Sequence, residues 1–326
     1  MSETVIDMRP KDGKEWKSTI IDLSKPIEPP EPLLIQEETG CSLLFRRGIH
    51  IVSGKQKAGK TFYNSIIMTA ILNPDGFCGL KPTKTNFRVL FADTEQDRSD
   101  TFKVVERIHR LNGWQTDKNY PKLVAINLRE FSAEERLKLI EQALSDYKPD
   151  ILIIDGVVDL CIDFNSLEES HALTTKLMKW TVKYDVSVIT ALHENKGNDN
   201  LRGHLGSFLA QKSDSVIRIA KESDGIAYMS CKIVDSRKKP IEDFNFRIVE
   251  GLPEPYDTEG KATVNYFETF ENVLHKPLKY NDLVIEVQKS TGKSIATAKR
   301  YITTATELKI IESNNGYYEY KNSLPF

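Results

Sequence analysis

Ile51-Val52-Ser53-Gly54-Lys55-Gln56-Lys57-Ala58-Gly59-Lys60-Thr61 decides the fold. The stretch reads as a short apolar strand, then G-x-x-x-x-G-K-T, then a helix opening near Thr61: a phosphate-binding loop. Gly54 and Gly59 permit backbone angles that a Cβ resists. Successive N–H groups then turn inward, where a helix N-terminus adds partial positive charge. The spacing assigns Gly54, Lys55, Gln56, Lys57, Ala58, Gly59, Lys60 and Thr61, with Phe62 behind them, to a nucleotide cradle. Lys60 reaches the β- and γ-phosphates, and the Thr61 hydroxyl serves magnesium.

Working outward, residues 1–32 are polar and end in Ser24-Lys25-Pro26-Ile27-Glu28-Pro29-Pro30-Glu31-Pro32. Such proline density favours extended chain, either an arm across the domain or to a neighbouring subunit, or a disordered tail. Residues 33–250 alternate strand and helix patterns, which predicts an α/β domain with a mostly parallel sheet covered on both faces. Expected strands are Gly48 to Ser53, Phe87 to Ala92, Leu123 to Leu128, Asp150 to Asp155 and Val186 to Leu192. Expected helices are Thr61 to Leu72, Asp97 to Leu111 (with Phe102, Val105, Ile108 and Leu111 on one face), Ser132 to Tyr147 and Ser166 to Tyr184. Residues 195–213 read as a polar, glycine-bearing loop. Ser215 to Ala220, Ile226 to Val234 and Phe244 to Val249 then form an antiparallel extension. Residues 251–270 read as a linker by composition. Residues 271–326 give helix, turn, helix and hairpin, the layout of a small winged-helix domain.

At 326 residues, with 40% hydrophobic and 28% charged residues, the chain has ordinary composition for a soluble globular protein. A formal net charge of −2 exerts no global pull on nucleic acid, so any such contact needs local patches. No apolar run is long enough for a membrane span, and MSETVIDMRPKDGKEW has no signal-peptide core. Cys41, Cys78, Cys161 and Cys231 are too scattered for a zinc site or disulfide framework. A cytoplasmic location is expected.

Polar residues end the apolar strands. Asp155, after Ile151-Leu152-Ile153-Ile154, stands where a carboxylate holds magnesium through water. Glu95 ends the strand after the first helix, and a carboxylate beside the γ-phosphate can polarise an attacking water. His193 ends the strand after Asp155 and is either a sensor of the γ-phosphate or a surface residue. Lys196, Arg202 and His204 lie in the donor-rich loop that follows; the loop either contacts a nucleic-acid backbone or is simply solvated. Arg237, with Lys238 and Lys239 at a hairpin end, is suited to act as an arginine finger on a neighbour's nucleotide, which requires an oligomer. On the second C-terminal helix and the turn before it, Lys293, Thr297 and Arg300 present a face to a major groove or to a protein partner.

In this order, Gly54 to Thr61, Asp93-Thr94-Glu95, Ile151 to Gly156, His193-Glu194-Asn195-Lys196 with Arg202-Gly203, and Lys232 with Arg237 give a chain that resembles the RecA-like ATPases. Within them it resembles the hexameric replicative helicases of the RepA and DnaB type, as encoded on plasmids and mobile elements. The resemblance implies a RecA-like P-loop core, ATP and Mg2+ as ligands, and single-stranded DNA in a homo-oligomeric ring, a hexamer. It assigns Glu95 as catalytic base, His193 as γ-phosphate sensor, residues 195–206 as the DNA loop and Arg237 as the finger in trans. Arg107 would stack on adenine. The chain departs from that pattern in having a C-terminal winged helix and a longer spacing from Lys232 to Arg237. The alternative reading is a nucleotide-switched, non-motor DNA-binding regulator or loader.

Overall fold

A computed structural model describes residues 16–195, 200–223, 225–256, 266–291, 295–307, 310–314 and 316–321, without the side chains of 17, 18, 267, 268, 295–297, 300, 304 and 307. The chain divides into Met1–Glu31 and Pro32–Phe326. In the first unit Trp16–Thr19 forms a 3-10 turn, and the Asp22 carboxylate accepts from the Ser24 amide and hydroxyl.

In the second unit, strands β1 (Pro32–Gln36) and β2 (Ser42–Phe45) precede β3 (Ile49–Gly54) and helix α1 (Lys60–Leu72). Then come β4 (Leu80–Pro82), β5 (Val89–Asp93), α2 (Arg98–Leu111), β6 (Leu123–Asn127), α3 (Ala133–Tyr147), β7 (Ile151–Asp155), α4 (Leu167–Lys183) and β8 (Ser187–His193). Helix α5 (Gly203–Lys212) leads to β9 (Ser215–Ser223), β10 (Ala227–Ser236), β11 (Phe244–Val249) and β12 (Leu252–Pro255). Side chains close the helix starts where the sequence offers them. Ser132 and Glu135 form a reciprocal capping box at α3, and Ser166 and Asp97 cap α4 and α2.

The nine-stranded sheet runs β12-β11-β10-β9-β3-β8-β7-β5-β6. Strands β9, β3, β8, β7, β5 and β6 are mutually parallel, and β10, β11 and β12 continue antiparallel. The unbroken apolar runs have a direct cause, because alternate residues enter different cores. Val89, Phe91, Ile151 and Ile153 pack with α1 and α2 on one face, while Leu90, Leu152 and Ile154 pack with α3, α4 and α5 on the other. This is the α/β core expected from the sequence, except that β9, expected in the antiparallel extension, runs parallel to β3. The order brings the C-terminal ends of β3, β8, β7 and β5 side by side, where the candidate polar residues lie.

Several local expectations change. The polar loop ends at Arg202, because Leu205 and Leu209, four apart and fully buried, fold the next residues as α5. Gly206 hid this helix in the sequence, yet a Cβ there would lie 2.7 Å from Leu201 Cβ, so close packing selects glycine. Leu252–Pro255 is an edge strand rather than linker. Glu250 (φ 49) and Gly251 (φ 77) make a two-residue turn that sets Val249 opposite Leu252. Residues 257–265 of the expected linker lie outside the described residues. Helix α2 is rotated by about one residue from the expected face: Thr101, Val104, Ile108 and His109 are buried, and Phe102 is exposed. Strands β2, β1 and β4 form a small separate sheet in that order, which the sequence pattern did not show.

The C-terminal residues have their own core. Helices α6 (Tyr266–Val273), α7 (Tyr280–Thr291) and α8 (Ile295–Glu307) pack through Phe270, Leu283, Val287, Ala298, Tyr301 and Ile302. Strand β13 (Leu278–Lys279) joins β14 (Ile311–Asn314) and β15 (Tyr317–Tyr320) in the order β13-β15-β14. On α7 Val284 is buried and Ile285 is exposed. Among the described residues no helix is long and apolar enough to cross a membrane.

Candidate active site

The phosphate loop occupies the turn from β3 to α1. Gly59 takes φ 99, and a Cβ there would lie 3.0 Å from Met229 Cγ. Gly54 lies so close to Ile219 that a Cβ would sit 2.4 Å from its carbonyl oxygen. Lys57 is also left-handed, at φ 63, so the loop curls as an anion-binding turn requires. Lys60 is buried and its Nζ donates to the Gly54 and Lys55 carbonyls at 3.0 and 3.1 Å. Burial lowers the Lys60 pKa, opposed by the charges of Asp155, Glu95 and Glu194.

Lys60 Nζ also lies 3.0 Å from His193 Nδ1. An ammonium has only protons to offer, so Nδ1 is the acceptor in this contact and Nε2 is the nitrogen that faces outward. That nitrogen lies 3.8 Å from Glu95 Oε2. The nearby His193 ring is the main reason that the Glu95 carboxyl is held below its ordinary range. Phosphate-binding lysine, strand-end histidine and candidate base thus form one chain of contacts.

Asp93 positions Glu95. Its buried carboxylate accepts from the Glu95 and Gln96 amides, Gln96 Nε2 and Thr101 Oγ1. Thr94 donates toward the Asp155 and Gly156 carbonyls and Asp159 Oδ2, which fixes the β5 end to the β7 end.

Thr61 Oγ1 donates to Asp155 Oδ2 at 2.9 Å. Burial pushes the Asp155 carboxyl up to about 6, and the charges of Asp93 and Glu95 add to the rise. Hard oxygen donors beside crowded negative charge fit a magnesium ion, for which Thr61 and Asp155 are the candidate ligands. Among the described residues no three His, Cys, Asp or Glu side chains converge as a metal cage, so phosphate and water would supply the other ligands.

A stability consequence follows. The folded Asp155 carboxyl titrates near 6, above its ordinary 3.8. The folded chain therefore binds more protons across that window, and stability falls as pH rises through it. Asp155→Asn removes a penalty of up to about 3 kcal/mol at pH 7. In EDTA its melting temperature should exceed wild type by several degrees at pH 7, with the difference vanishing near pH 4. Stabilisation by MgATP should be weakened in the variant. Calorimetry showing the variant less stable at pH 7 would remove burial as the cause.

The other sequence candidates have different places. Arg107 stacks on Phe62, its Cζ 4.0 Å from the ring centroid, and donates to Ser65 Oγ and the Gly251 carbonyl. Arg202 precedes α5 and lies over Phe164 at 4.9 Å, and His204 is exposed in the first turn of α5. Arg237 is exposed and donates from Nη2 to the Gln211 carbonyl at 2.7 Å. Lys232 pairs with Glu222. Lys196 and Lys293 lie outside the described residues; Thr297 and Arg300 are on α8, their side chains outside the description.

Sequence reasoning missed Glu194 and Arg218, whose side chains pair at 3.1 Å below the phosphate loop. The available signal was a cation in the apolar run Ser215-Val216-Ile217-Arg218-Ile219-Ala220. A cleft of about 640 Å³ opens beside Ser53, Glu194 and Arg218. A groove of about 920 Å³ between α2, β6 and α3 contains no phosphate-loop residue.

A family model for the AAA domain matches residues 12–199, more than half of the chain. The match includes Lys60, Glu95, Asp155 and His193, and it ends before Arg202. No curated protein matches the chain. The phosphate loop, the strand-end acids and a mostly parallel sheet covered by helices agree with that match: the chain belongs to the AAA domain family and is a P-loop ATPase with a RecA-like α/β core.

Proposed function

We propose that this ATPase is a ring-forming, DNA-dependent motor of the RepA and DnaB helicase type. The observation that carries the reading is the contact chain Lys60–His193–Glu95, because His193 ends β8 at the nucleotide site, directly before the segment that holds Lys196 and Arg202. ATP phosphates would draw Lys60 from its protein acceptors toward the bound γ-phosphate. His193 Nδ1 would lose a donor at the same moment, so its contact with Glu95 reports on the nucleotide. Glu95 orients and polarises water, and the phosphate-loop amides and Lys60 take up the charge that develops. Magnesium held through Thr61 and Asp155 supplies neutralising charge when bound. Arg107, stacked on Phe62 in the first turn of α1, would border the adenine.

In this reading residues 195–206 contact single-stranded DNA through cations and amides, independent of sequence. Arg237 completes the site of the neighbouring subunit. The helix and strand order around α7, α8, β14 and β15 supports a winged helix, with Lys293, Thr297 and Arg300 facing duplex DNA. That unit's separate core also favours a second reading, a nucleotide-switched loader that uses it to find a site. Native mass measurement with MgATP and a single-stranded oligonucleotide tests the ring. A homo-hexamer is the expected state, and a monomer under every condition would contradict the role given to Arg237. ATP-dependent displacement of a strand from a forked duplex favours the motor; DNA-stimulated turnover without displacement favours the loader.

A further inference from the structure

Glu194 and Arg218 link across three neighbouring strands. Arg218 is on β9, Glu194 immediately follows β8, and β3 runs between them. At about 4.8 Å per strand the pair spans close to two strand spacings. It crosses at Ser53, which is opposite Arg218 in the register and donates from Oγ to Glu194 Oε1 at 3.2 Å. The Glu194 side chain is 1% exposed. Its backbone N–H also donates to the Gly54 carbonyl at 3.3 Å, the same oxygen that receives Lys60 Nζ. One residue earlier stands His193.

A buried ion pair is a weak source of net stability, since apolar residues of similar shape often replace both partners without loss, whereas removing one partner leaves an unpaired charge. A fixed position is the more telling consequence here. A carboxylate tied to β9 and β3 fixes the end of β8 laterally, and with it the 3.0 Å contact between His193 and Lys60. We propose that Glu194 and Arg218 are a positioning pair that sets the register of His193 against the phosphate loop and thereby the rate of the hydrolytic step. This deepens the ATPase reading and rests on it.

The test separates position from stability. Arg218→Met alone strands the Glu194 charge and should lower both melting temperature and kcat. Glu194→Met with Arg218→Met should bring the melting temperature back toward wild type, while kcat for MgATP stays depressed about tenfold and KM stays within about twofold. Arg218→Lys keeps the charge but not the planar fork, and should depress kcat several-fold with the melting temperature held. Recovery of kcat together with melting temperature in the double variant, or full kcat in Arg218→Lys, would overturn the proposal. Wild-type turnover abolished by Lys60→Ala establishes the underlying reading separately. Absence of wild-type turnover would overturn that reading and the pair's role in hydrolysis with it.

Discussion

Glu95→Gln should lower kcat for ATP hydrolysis by roughly 10²- to 10⁴-fold while nucleotide affinity stays within about twofold. Glutamine keeps the size of the side chain and still offers an oxygen toward His193. It removes the negative charge and the basicity that polarise water. The carboxylate is favoured as the ionised form, chiefly by the neighbouring His193, so at neutral pH it is present as a base. Its backbone is fixed through Asp93, and the substitution leaves that support intact. Because Glu95 reaches Lys60 only through His193 and no phosphate-loop amide bonds to it, binding of a fluorescent nucleotide should persist. A variant that turns over within about threefold of wild type would exclude Glu95 as the group acting on water.

Arg237→Ala should cost at least as much, roughly 10³-fold or more, if the side chain stabilises a neighbour's transferring phosphoryl. The wild-type guanidinium is exposed and donates to the Gln211 carbonyl in the last turn of α5, while its own amide donates to the Asp214 carbonyl. The backbone is therefore fixed, and among the described residues the side chain has one exchangeable hydrogen bond. Truncation leaves the variant's own cradle complete, so it should bind MgATP normally. Mixing supplies the decisive readout. Arg237→Ala mixed with Lys60→Ala, each inactive alone, should regain turnover, because one variant supplies an intact cradle and the other the finger. No regain of turnover in mixed rings, or full turnover by Arg237→Ala alone, would remove the finger in trans.

The sequence exposed the parts of this site that depend on local grammar. An apolar strand closed by G-x-x-x-x-G-K-T can be read without tertiary information, and so can Ser132 three residues before Glu135. Runs such as Ile151 to Ile154 identify buried strands because both faces of the sheet are covered. Pairings over long separations were invisible. Strand β1 meets β4 through Leu34 and Pro82, and Glu194 meets Arg218 only because β8, β3 and β9 assemble in that order. Glycine misled at Gly206, where it marks close packing inside α5 rather than a loop. Helix α2 shows a limit of periodicity: Thr101 turns inward because its hydroxyl bonds to Asp93, which rotates the buried face away from Phe102.

The central claim is that ATP turnover at Lys60 and Glu95 is coupled to single-stranded DNA through the chain beyond His193. Steady-state ATP hydrolysis by the full chain, with and without a single-stranded oligonucleotide at low salt, tests it most directly. The account predicts that DNA raises kcat several-fold, that added salt weakens the stimulation, and that Lys196→Ala with Arg202→Ala removes it while the basal rate remains. Turnover indifferent to single-stranded DNA, in wild type and variant alike, would contradict it.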